Sequence, residues 1–329
     1  MLPLLDRFRA RSGSPLALGF TTDGVVIARM ETAADGHPHL CAEALPGERV
    51  EPLAERLRSC GLEGATAHLV MPLGSYERLL LDQPPVPPAE LRAALRWRVR
   101  ELIDFHIDDA VIDHFPAPRR PDLAQQQLYV IVARRRQVER YTGLASDAGL
   151  QPSRVDIPEL ALRNLACRLP ETATGVALVH LEADRGLILL CRDHCLYLAR
   201  NIDLGSEHLA AGGTAATERL ALEIQRTLDY YDRHFRQPPV ALVALTPLPD
   251  GLPPVTEELA GLLGIDSRIL DLNQLLDPRP PYRWPGPVPA AWPSPPYCRT
   301  APDPRPLPSR PGRERARAAH PSEDRQQLE

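Results

Sequence analysis

The chain has 329 residues, 43% hydrophobic and 25% charged with a formal net charge of -5, so it can bury a core as one large bilobed domain or two ordinary ones. All 38 basic residues are arginine, which excludes a phosphate loop ending in Lys-Ser/Thr and any lysine nucleophile or Schiff base. The acidic balance lacks the footprint of a nucleic-acid binder, and no apolar run nears the roughly 18 residues that span a bilayer.

Met1 to Arg11 places charges after a very short apolar patch, the reverse of a secretory signal, so a cytoplasmic location is expected. The six cysteines include no Cys-x-x-Cys pair, which fits reduced thiols. Leu16 to Met30 reads as two strands around a Thr/Asp/Gly turn at Thr21 to Gly24. A short helix over Glu51 to Cys60 is closed by Gly61, and a strand over Ala65 to Met71 is broken by Pro72.

Pro84 to Pro88 forms a stiff connector, and Pro88 presets the helix that starts near Ala89. On that helix Leu91, Leu95, Val99 and Leu102 form the predicted apolar stripe, with Ala94 and Ile103 widening it and Trp97 off it. Strands follow over Phe105 to Phe115 and Gln127 to Ala133, then a helix from about Arg136 to Ala148 stopped by Gly149. A strand over Ser153 to Ile157 leads to a helix opened by Pro158 and running to Leu169.

The pattern then restarts. Val176 to Leu181, Gly186 to Cys191 and Cys195 to Ile202 predict a meander like the one at residue 16, with a tight turn at Arg192 to His194. A helix over Thr217 to Phe235 carries Leu220, Ile224, Leu228, Tyr231 and Phe235 on one stripe; a buried strand over Val240 to Leu245 and a helix over Pro253 to Leu263 follow. From Pro278 proline dominates, and the charged remainder is expected to be disordered or extended.

Four segments in this order carry a family resemblance: Leu79-Leu-Leu-Asp-Gln-Pro-Pro-Val-Pro-Pro-Ala-Glu-Leu; Leu95-Arg-Trp-Arg-Val-Arg-Glu-Leu-Ile-Asp-Phe with Val111-Ile-Asp-His-Phe; Gly149-Leu-Gln-Pro-Ser-Arg-Val-Asp-Ile-Pro-Glu; and Leu222-Glu-Ile-Gln-Arg-Thr-Leu-Asp-Tyr-Tyr. The chain resembles the PilM family of type IV pilus biogenesis proteins over about Leu16 to Asp277, and within it the branch from the mannose-sensitive haemagglutinin (MSHA) pilus system. The resemblance implies an α/β, actin-like fold of two ribonuclease-H-like lobes. The expected divisions are an N-terminal segment 1–15, a first lobe 16–172 with an inserted subdomain at about 71–133, a second lobe 173–277, and a Pro/Arg-rich tail 278–329. It also implies a scaffold at the cytoplasmic face of the inner membrane, which holds a cytoplasmic segment of a membrane-anchored assembly protein and connects to the motor ATPase.

In actin-like proteins two hairpin turns cradle phosphates, and the resemblance sets out where this chain departs from them. Gly19 stands where the family usually has Asp, Thr21 where it usually has Gly, and Asp23 is displaced along the turn. In the second turn His180 takes the Asp position and Glu182 the Gly position, adding bulk and negative charge beside a triphosphate. Thr246-Pro-Leu-Pro-Asp-Gly replaces a Gly-rich adenosine loop. The expectation is a pseudo-ATPase with no resident cofactor or metal; the alternative is an actin-like ATPase that binds ATP and Mg, with Thr21, Thr22 and Asp23 on the phosphate side. As plain hairpin residues, those three have a structural role alone.

Other constellations are weaker. Cys191-Arg-Asp-His-Cys195 resembles metal ligands but lacks a second ligand pair, and His106, Asp108, Asp109, Asp113 and His114 are explained by alternation along a strand. Trp97, opposite the core stripe, packs under another segment or meets a partner, and Arg96 and Arg100 beside it either pair with a partner's acidic groups or form a solvated face.

Overall fold

The computed structural model describes residues 15–21, 24–32, 38–249, 252, 254–272 and 275; Thr22, Asp23, the segment 1–14 and the tail from 278 lie outside the described residues. The chain opens with three strands, β1 (Leu16–Phe20), β2 (Gly24–Thr32) and β3 (Pro38–Pro46), then α1 (Val50–Ser59) and β4 (Thr66–Val70). β5 (Tyr76–Asp82), α2 (Pro88–Val99), β6 (Ala110–Pro116) and β7 (Gln127–Arg134) follow, and α3 (Arg135–Asp147), β8 (Gln151–Asp156) and α4 (Pro158–Ala166) complete the first half. The second half runs β9 (Val176–Leu181), β10 (Gly186–Arg192), β11 (Cys195–Ile202), α5 (Ser206–Phe235), β12 (Leu242–Leu245), α6 (Val255–Leu263) and β13 (Ser267–Ile269).

Two five-stranded sheets repeat one topology. The first is ordered β3-β2-β1-β4-β8 and the second β11-β10-β9-β12-β13. In each, the first three strands are antiparallel neighbours and the last two run parallel to the central one. Side-chain alternation then decides what each sheet buries. Ala177, Val179 and Leu181 of β9 join the core under α5 and α6, whereas Val176 and Leu178 join the core beneath α4. β9 and β10 are therefore apolar on both faces and read as continuous hydrophobic runs. β1 is different: Leu16, Leu18 and Phe20 pack against α1 and α3, while Ala17 and Gly19 stay half-exposed on the other face.

A third sheet, ordered β5-β7-β6, lies in sequence between β4 and β8, and α2 covers it. Leu95 and Val99 are fully buried on Ile112, Val130 and Val132 of this small core. Truncating Leu95 to Ala would cost about 2–5 kcal/mol, because the cavity cannot collapse inside so small a cluster.

Some expectations are corrected. α2 ends at Val99, and the Leu102 amide donates to the Val99 carbonyl (2.9 Å) in a turn. Leu102 thus leaves the helical face and is 51% exposed, not part of the buried stripe. The predicted strand from Phe105 begins only at Ala110, after a single 3-10 turn at Ile107–Asp109. α5 starts at Ser206, eleven residues before the predicted helix, and continues through a break at Gly213 (φ 53°, ψ -135°). That conformation is open to glycine and strained for other residues.

Candidate functional site

In both hairpins expected to face a nucleotide, described polar groups are taken by partners within the protein. In the β1–β2 turn the Thr21 amide donates to the Gly24 carbonyl (2.9 Å), and the Thr21 hydroxyl donates to the same carbonyl and accepts from the Gly24 amide, both at 3.2 Å. The hydroxyl is thereby engaged in shaping its own turn. Thr22 and Asp23 lie outside the described residues.

In the β9–β10 turn the start of α5 docks onto the backbone. The Ser206 amide donates to the Glu182 carbonyl (2.8 Å) and the Glu207 amide to the Ala183 carbonyl (3.0 Å). The Gly205 amide donates to His208 Nδ1 (3.1 Å). Amide groups at a helix start are the natural partners of an anion, and here protein acceptors take them. The approach is close enough that a Cβ on Gly205 would lie 2.3 Å from the Ala183 carbonyl oxygen. Arg185 pairs with Asp184 at 3.0 Å and reaches toward the first half, with Nη1 3.5 Å from the Leu73 carbonyl. Asp184 is held below the usual carboxylate range by the Arg185 hydrogen bond. His180 Nδ1 lies 3.0 Å from Thr246 Oγ1, and burial pulls its imidazole down to about 4, so the ring is neutral at pH 7.

The second location is the outer face of α2. Trp97 is 67% exposed, the largest exposure among the described large apolar side chains. The Arg100 guanidinium stacks on its ring at 4.6 Å, and Arg96 donates to Asp108 Oδ1 at 2.9 Å. Trp97, Arg96 and Arg100 are therefore neighbours on one surface. Thr21 belongs to a separate location.

Sequence reasoning missed how the inserted sheet is anchored. Tyr76 and Arg78 on β5 both donate to the carboxylate of Glu159, which has no exposed surface at the start of α4. Arg78 Nη2 also donates to the Ala199 carbonyl (2.7 Å), and the Tyr129 hydroxyl to the Tyr197 carbonyl (2.9 Å). Ala199 and Tyr197 lie two apart on β11, the edge strand of the second sheet, so the insertion covers backbone groups that would otherwise stand open. Burial, with the Glu159 charge second, raises the Tyr76 phenol, and burial pushes Tyr129 up to about 12. Further along, Arg120 pairs with Asp122 (2.6 Å) and contacts His234 Nδ1 (2.6 Å) at the end of α5. The hydrogen bond from Arg120 holds Asp122 down to about 2. The signal for Glu159 was masked because Pro158-Glu159 reads as an ordinary helix start.

The remaining candidates stay apart. Asp108 is taken by Arg96, and Asp113 accepts from the amide of His114 (2.9 Å). Cys191 is buried, with its thiol pushed up to about 12 by burial, while Cys195 is exposed. Among the described residues no group of three or more His, Cys, Asp or Glu side chains is placed to hold a metal ion.

No family model matches the chain, and no curated protein matches it in sequence. Solved structures do. A PilM–PilN type IV pilus biogenesis complex aligns at a TM-score of 0.62 and 18% identity, over 80% of this chain and 89% of that one. The cytoplasmic domain of EpsL, an inner membrane component of the type II secretion system of Vibrio cholerae, aligns at 0.47 and 14% identity, over 76% of this chain and 94% of that one. A Bacteroides thetaiotaomicron protein with an actin-like ATPase fold aligns at 0.49 and 9% identity, over 85% of this chain and all of the other. The chain has the actin-like ATPase fold, and among the described residues no helix is long and apolar enough to cross a membrane.

Proposed function

We propose that this chain is a cytoplasmic scaffold of a type IV pilus assembly platform, of the MSHA type and akin to MshI, held at the inner membrane by a cytoplasmic segment of a membrane-anchored assembly protein. The observation that carries the reading is the α2 face, where Trp97 stands 67% exposed beside Arg96 and Arg100 on a fold shared with a PilM–PilN complex. An exposed tryptophan with a stacked arginine is a common composition for a binding hot spot. On this reading the scaffold also connects to the assembly motor ATPase.

The two hairpin turns support the same reading. A triphosphate needs free amide donors, a close glycine backbone and a carboxylate for the metal-bound water. Here the start of α5 is bonded to the β9–β10 turn, His180 is neutral, Glu182 and Asp184 bring negative charge, and Arg185 is turned to Asp184. These residues do not suit ATP and Mg, and no step of the proposed function passes through them. The test is a pull-down of the membrane-anchored partner from the native host: Trp97→Ala stays folded and retains less than a tenth of the partner, whereas unchanged recovery counts against the α2 face.

A further inference from the structure

α2 presents two parallel ridges at i, i+4 spacing. One is Ala89, Ala93 and Trp97, all exposed, and the other is Arg92, Arg96 and Arg100. Three guanidiniums on one ridge repel their neighbours, yet among the described residues one carboxylate, Asp108, answers them, through Arg96. Among the described residues Arg92 Nη2 reaches only the Ile112 carbonyl, at 3.4 Å, and the Arg100 guanidinium has the Trp97 ring but no hydrogen bond or ion pair. The Arg100 guanidinium lies over the Trp97 ring, 4.6 Å from its centroid, and its planar N–H fork suits a carboxylate held by two parallel hydrogen bonds. Ala89 and Ala93 keep the neighbouring ridge low enough for a second backbone to come close, and Trp97 ends it as an apolar wall.

We infer that this face receives an acidic amphipathic helix from the partner. Its aliphatic side chains lie on Ala89, Ala93 and Trp97, and its Asp or Glu side chains at i, i+4 pair with Arg100 and Arg92. The inference rests on the scaffold reading and adds the chemistry of the segment being held. Ridge packing sets the helix beside the arginine row, and charge complementarity sets which side of it faces the arginines.

The experiment places the photo-reactive residue p-benzoylphenylalanine at Ala93 of the full chain in the native host and identifies the cross-linked peptide by mass spectrometry. The expected product is one peptide with acidic residues at helical spacing beside aliphatic ones. Its yield falls at least tenfold in Arg100→Glu and returns when the acidic residues of the captured peptide are changed to arginine. A peptide without acidic residues, a phospholipid adduct, a yield indifferent to Arg100→Glu, or no product at all overturns the inference. Co-purification of a membrane-anchored protein is scored in the same cells: if it persists while Ala93 gives no product, the scaffold reading stands and this placement falls. If co-purification is also absent, the scaffold reading falls with it.

Discussion

His180 stands at the end of β9, where the family resemblance leads one to expect an acid, and its environment has a consequence for stability. The folded chain keeps the ring neutral down to about 4, whereas the unfolded chain protonates it near 6.5. Between those values the unfolded state binds more protons, so stability is full above pH 6.5 and falls as pH drops toward 4. Burial of the ring is what lowers its value, and the difference from 6.5 sets a ceiling of about 3 kcal/mol on the linkage. His180→Gln keeps a hydrogen-bonding group near Thr246 and removes this titration; urea melts at pH 7 and pH 4.5 should show a smaller loss on acidification than the parent chain. An equal loss in both would show that His180 does not carry it. Gly205 makes a second case at this scale. Gly205→Ala brings a Cβ to within 2.3 Å of the Ala183 oxygen, so the docked turn must shift. The expected cost is about 1–3 kcal/mol by denaturant melt; a stability equal to the parent's would mean the turn gives way freely.

Among the elements, the inserted sheet is the most testable, because its attachment rests on a buried ion pair. Removing Arg78 leaves the fully buried Glu159 carboxylate with Tyr76 alone and frees the Ala199 carbonyl. Arg78→Leu should therefore destabilise by about 3–5 kcal/mol, and adding Glu159→Leu should recover a large part, since two apolar groups need no counter-charge. A double variant no better than the single one would place the cost elsewhere. Much of the element pattern was legible in the sequence. The second meander was predicted almost residue for residue, because β9 and β10 are buried on both faces and leave an unbroken apolar run. β3 and β13 were not read: β3 has no strong β-branched run, and β13 is only three residues long. The first turns of α5 were lost because Gly212-Gly213 looks like a stop, whereas the chain turns through Gly213 and resumes the helix. Trp97 was placed off the core stripe by spacing alone, and it is exposed. The Tyr76–Arg78–Glu159 anchor was invisible, since it joins residues some 81 positions apart and each has an ordinary local explanation.

For the whole molecule, two sheets of identical strand order, each fed by a hairpin, point to a duplicated architecture. The insertion on the first half seals the edge of the second through Tyr129 and Arg78. On the proposed reading, such a frame would present the α2 face at a fixed place relative to both sheets. The proposal is that the frame is kept for these contact surfaces while the hairpin turns do not grip a triphosphate. Calorimetric titration of the purified full chain with ATP and excess Mg tests it most directly. The account predicts no saturable heat up to millimolar nucleotide; saturation at micromolar concentration, lost in Thr21→Val, would contradict it.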